Sequence, residues 1–153
     1  MGGKPGGILK AYADSSFIAA LYLQQTTSTS AAAFMQRHDL PLPFTPWHRV
    51  EVRNAIRLAV FHRLIDSHQA RLQLKQMDAD LRAETLIAHA PVDWVTVLRI
   101  AEKSATAHNE SVGCRSSDLF HIAAAVAWGA DQFISFDERQ KKMASAVGLT
   151  VAN

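Results

Sequence analysis

Two short apolar runs constrain the chain most. Residues 8–13 (Ile-Leu-Lys-Ala-Tyr-Ala) stop at Asp14, and residues 132–136 (Gln-Phe-Ile-Ser-Phe) stop at Asp137; helical spacing follows each at once. Runs this short and apolar read as strands covered on both faces, because a sheet face left in water would alternate with polar residues. Residues 85–89 and 149–151 are two further strand candidates, again separated by helical segments. Parallel neighbours need a crossover, usually a helix, so this alternation predicts an α/β layer fold with a short, mainly parallel sheet.

Apolar spacing predicts helices over residues 15–24, 30–38, 47–63, 67–82, 93–109, 117–128 and 138–147. Leu40-Pro-Leu-Pro-Phe-Thr-Pro46 leaves room for only a very short extended piece at 42–45, because proline offers no backbone donor. Pro46 suits the first turn of a helix. Asp66-Ser67 is a helix start signal, and a serine is expected to cap the 30–38 helix. The alanine-rich 117–128 helix is expected to open on serine or aspartate and to end at Gly129, a common residue just past a helix end.

The 153 residues suit one domain, and 48% hydrophobic against 20% charged is enough to bury a core. The only cysteine, Cys114, excludes an internal disulfide and any multi-cysteine metal site; it reads as an inert or semi-buried thiol. No apolar stretch approaches a membrane span, and the glycine-rich opening has no apolar run behind it, so no signal peptide is expected. Residues 1–7 read as a flexible leader or cloning remnant and 8–153 as the domain, in a soluble, cytoplasmic protein. Net charge is +2. If several acids gather in one site, the remaining surface is clearly basic, which suits a polyanionic substrate.

Functional groups in open parallel sheets collect at the carboxyl ends of the strands. Asp14 and Asp137 occupy that position, and Asp118 opens the alanine-rich helix beside Ser116 and Ser117. Taken singly, each aspartate also reads as a helix cap. Glu51 lies within a helix, where a glutamate is ordinarily solvated. Should Asp14, Glu51, Asp118 and Asp137 converge, they require cations, and oxygen-only donors suit Mg²⁺ or Mn²⁺. The other chemistries lack their signatures. The histidines show no metal-binding spacing, no G-x-S-x-G elbow occurs, and no glycine-rich phosphate loop is present.

Asp14-Ser-Ser16 after the first strand, Val50-Glu-Val-Arg-Asn-Ala55 in a central helix, Gly113-Cys-Arg-Ser-Ser-Asp118-Leu-Phe-His121 and Phe133-Ile-Ser-Phe-Asp137 come in a telling order. Together they resemble the PIN-domain nucleases, and most closely the VapC toxins of bacterial toxin–antitoxin pairs. The resemblance spans about residues 8–151 and implies a three-layer α/β/α fold. It implies a Mg²⁺- or Mn²⁺-dependent endoribonuclease whose acidic quartet is Asp14, Glu51, Asp118 and Asp137. Ser16 and Ser135 match the family's small hydroxyl positions, expected to orient carboxylates or water. His121 is open to three roles: touching a substrate phosphate, holding Asp118, or packing within its helix. Arg115 is open to a phosphate contact, to offsetting the acids, or to a plain surface role. A small cognate antitoxin, seated near Trp47, Phe61 and Leu64, and a homodimer are also implied. The alternatives are a PIN nuclease without an antitoxin and a degenerate PIN-like module that binds RNA or protein without cutting. A phospho-acceptor domain fits poorly, because Asp14 stands alone on its strand and the last strand has no lysine.

Overall fold

The computed structural model describes residues 9–152; the expected leader and the first residue of the first expected strand lie outside them. In chain order the elements are β1 (Ala11–Ala13), α1 (Ser15–Tyr22), α2 (Ser28–Arg37), β2 (Leu42–Phe44), α3 (Pro46–Phe61) and α4 (Ser67–Ala83). They continue with β3 (Ile87–His89), α5 (Trp94–Val112), α6 (Ser116–Trp128), β4 (Gln132–Ile134), α7 (Glu138–Ala146) and β5 (Thr150–Val151). Every ladder is parallel. One sheet runs β1-β4-β5, with Tyr12 opposite Phe133 and Phe133 opposite Val151; β2 and β3 form a second pair, with Pro43 opposite Ala88.

Proline chemistry separates the two sheets. Leu42 and Phe44 turn their backbone toward β3, where Leu42 N–H donates to Leu86 O and Phe44 O accepts from Ala90 N–H. The intervening Pro43 faces β1, and it has no N–H to give. The Ala13 carbonyl on that side instead accepts from His48 Nε2–H at 2.7 Å.

Strand residues alternate between two cores. Ala11, Ala13 and Ile134 pack with α1 to α4, while Tyr12 and Phe133 pack with α5 to α7. The sheet is therefore sandwiched between helices, the α/β/α arrangement expected from apolar strands.

Caps set the ends of the helices. Asp66 begins α4 through a reciprocal capping box with Gln69, and Gly129 ends α6 with a left-handed φ of 82°. Two expected caps are corrected. α2 begins at Ser28 after Thr27, which makes no side-chain cap bond, and α6 begins at Ser116 with Arg115 in the cap position, so Asp118 lies inside its first turn. Cys114 is buried, its thiol donates to the Arg139 carbonyl at 3.3 Å, and burial pushes the thiol up to about 11.

Candidate active site

The end of β1 places Asp14 first. Its extended backbone closes the strand, and Oδ1 accepts from Phe17 N–H at 2.8 Å, capping α1. Oδ2 accepts from the Ser135 hydroxyl at 2.6 Å, and Ser135 Oγ in turn accepts from Asp137 N–H at 3.0 Å. One serine thus ties the carboxyl ends of β1 and β4 together. Burial pushes the Asp14 carboxyl up; the Ser135 hydroxyl and the Phe17 amide pull the other way, and nearby Asp118 adds to the rise. Asp137 is half-buried and caps α7 through Gln140 N–H at 3.0 Å. The side chain of the same glutamine reaches across to α6, where Nε2–H donates to Asp118 Oδ1 at 3.1 Å. Asp118 Oδ2 accepts from Arg115 Nε–H at 3.2 Å.

Glu51 enters from α3. Its Oε1 accepts from the Ser15 hydroxyl at 2.9 Å and faces His121 Nε2 at 2.5 Å. A carboxylate accepts only, so Nε2 carries its proton toward Glu51. Nδ1 lies 3.0 Å from the Tyr12 hydroxyl, and burial holds that phenol protonated. Burial alone would push the Glu51 carboxyl up. The bond and charge of His121, the Ser15 hydroxyl and Arg115 outweigh it and leave the group below its usual range.

These contacts place the remaining expected residues. His121 is buried against Tyr12, Ser15 and Glu51, and the acid it contacts is Glu51 rather than Asp118. Ser16 is exposed. Adjacent helical residues point about 100° apart, so turning Ser15 toward Glu51 turns Ser16 away. Trp47 packs edge-on against Phe120, whereas Phe61 and Leu64 remain 77% and 76% exposed.

Several site neighbours escaped the sequence. Ser15 and Ser16 look equivalent until the helix is phased. Gln140 had a weak signal, one turn beyond Asp137. His48 stands three residues after Thr45, the spacing of a capping box with histidine in the usual Glu/Gln place. Tyr12 carries no signal, since its hydroxyl interrupts an otherwise apolar strand only on paper.

The four acids share one electrostatic neighbourhood. Asp118 raises the basicity of Arg115 through its hydrogen bond and charge, and Asp137 and Glu51 add to it. Among the described residues, no three His, Cys, Asp or Glu side chains stand close enough to share a metal ion in this arrangement. The donor set still suits a hard cation: carboxylates from four elements, each oxygen with lone pairs to spare. One buried acceptor adds to that fit. Gln140 Oε1, in the amide that grips Asp118, has no donor.

Neither a family model nor a curated protein matches the sequence. Solved structures do. FitAcB from Neisseria gonorrhoeae aligns at a TM-score of 0.65 and 14% identity, over 94% of this chain and 96% of that one. Mycobacterium tuberculosis VapC20, a toxin that cleaves the sarcin–ricin loop, aligns at 0.64 and 18% identity, over 92% and 96%. The likeness is one of fold: the chain has the VapC-like PIN-domain fold.

Proposed function

We propose that this chain is a metal-dependent endoribonuclease, the toxin of a toxin–antitoxin pair. The observation that carries the reading is the placing of Glu51, Asp118 and Asp137 around Arg115, with Asp14 near Asp118, on a fold shared with a toxin that cleaves RNA. Asp14, Asp118 and Asp137, with Glu51, would hold Mg²⁺ or Mn²⁺, which when bound supplies a hydroxide nucleophile near neutral pH and neutralises charge on the phosphate. The rest of the work falls to the chain. Ser135 and the Phe17 amide fix Asp14 between two strand ends. Ser15 and His121 keep Glu51 ionised and aimed, and Gln140 orients Asp118. Arg115 is exposed beside the acids and is suited to draw a phosphodiester toward them. Exposed Phe61 and Leu64 suit a small antitoxin, and a homodimer is part of the same reading. No described helix is long and apolar enough to cross a membrane.

Asp14→Asn tests the site. Asparagine caps about as well as aspartate, so α1 survives the change. The Asp14 carboxyl is raised in the folded state, so its charge costs stability at neutral pH, and the variant should melt at or above the parent in EDTA, by about 1 kcal/mol. Added Mg²⁺ should raise the parent's melting temperature and barely move the variant's. RNA cleavage should stop in EDTA and fall by orders of magnitude in the variant. Full cleavage by either one sinks the reading.

A further inference from the structure

Phe136 stands between Ser135, whose hydroxyl holds Asp14, and Asp137, which caps α7. Its backbone is thus pinned on both sides by site residues. An aromatic side chain ordinarily gains most by burial, yet Phe136 remains 38% exposed. One face is covered: the ring stacks on Phe17 with centroids 5.5 Å apart and planes 20° from parallel. Phe17 is buried, receives Phe34 edge-on at 5.6 Å, and donates its amide to Asp14. Phe136 is thereby oriented before any ligand arrives, in the turn between Ser135 and Asp137.

A flat, pre-oriented ring beside a phosphodiester-cutting site suits an unpaired nucleobase. Stacking on aromatic rings is how proteins grip single-stranded nucleic acid, whereas a base inside a duplex is already stacked. Cations stand close by in sequence. Arg139 and Lys142 are exposed on the first turns of α7 and enter no ion pair among the described residues. Resting on the ribonuclease reading above, we propose that Phe136 is the stacking platform for an unpaired base next to the scissile phosphate.

The test uses full-length protein carrying Asp118→Asn to stop cleavage, and a fluorescein-labelled single-stranded RNA that the parent cuts. Phe136→Ala should weaken binding about tenfold or more, and Phe136→Trp should restore it. Phe136→Leu keeps an apolar cover over Phe17 but has no π-face, so it should bind as weakly as Phe136→Ala. Removing the base at one position near the cut should weaken binding to the Phe136 protein by a similar factor, and should not weaken Phe136→Ala further. Melts and circular dichroism verify that each variant is folded. Tight binding by Phe136→Leu, or two losses that simply add, overturns the proposal while leaving a cleaving parent's ribonuclease reading intact. A parent that neither binds nor cuts RNA overturns both.

Discussion

His48 is the clearest case of a side chain whose protonation state is dictated by its neighbours. Nε2 faces the Ala13 carbonyl at 2.7 Å and must donate, while Nδ1 faces Thr45 N–H at 3.0 Å and must accept. Only the neutral ring satisfies both. Burial, then the charge of His121, press the group well below its ordinary range against the pull of the Ala13 carbonyl. The sign follows from linkage. The unfolded chain takes up a proton near pH ~6.5 and the folded one does not, so the histidine's contribution is complete above that pH and is lost as pH falls below it. Stability should drop by about 1 kcal/mol per pH unit in that window, measured by urea unfolding. His48→Gln should flatten the slope, since glutamine makes the same reciprocal cap without titrating. An unchanged acid limb in the variant would assign the loss to other groups.

The helices that carry the acids are braced by polar contacts as well as by apolar packing. α1 is tied to α4 through the Tyr22 hydroxyl, which donates to Asp80 Oδ2 at 2.7 Å; Gln76 and Thr85 donate to Oδ1 of the same buried carboxylate. Burial and then Asp80 push the Tyr22 phenol well up, so it remains a donor at any working pH. Tyr22→Phe removes one of three donors to a buried acid and should cost about 2 kcal/mol. A shifted urea midpoint at constant slope would report it; a change below a few tenths would mean that water replaces the phenol. The element pattern itself was legible beforehand because each strand is apolar and most helices carry a side-chain cap, as with Asp66, Asp93 and Asp137. Where the local signal was weak the boundary moved: α2 starts two residues early on a threonine that makes no cap bond.

Across the protein, charge is divided between an acidic site and a basic remainder, despite a net charge of only +2. Binding of single-stranded RNA should therefore weaken linearly on a log–log salt plot, by about 0.7 in slope for each phosphate contacted. Arg115→Ala should remove about one such contact from the slope. Affinity independent of salt would argue against a phosphate-bearing substrate.

What the chain order carries is the fold and the placing of Asp14 and Asp137 at the carboxyl ends of two strands. Apolar runs that end in aspartate, each followed by a capped helix, leave few ways to fold other than strands with their functional groups at one end of a parallel sheet. What it cannot carry is the network around the four acids. Ser15 rather than Ser16 meets Glu51 because of helix phase, and His121 meets Glu51 because α3 and α6 approach across 70 residues of sequence. Gln140 joins Asp118 because α7 packs against α6. Such partners are chosen by distances between elements, and those distances exist only after both cores have closed on the sheet.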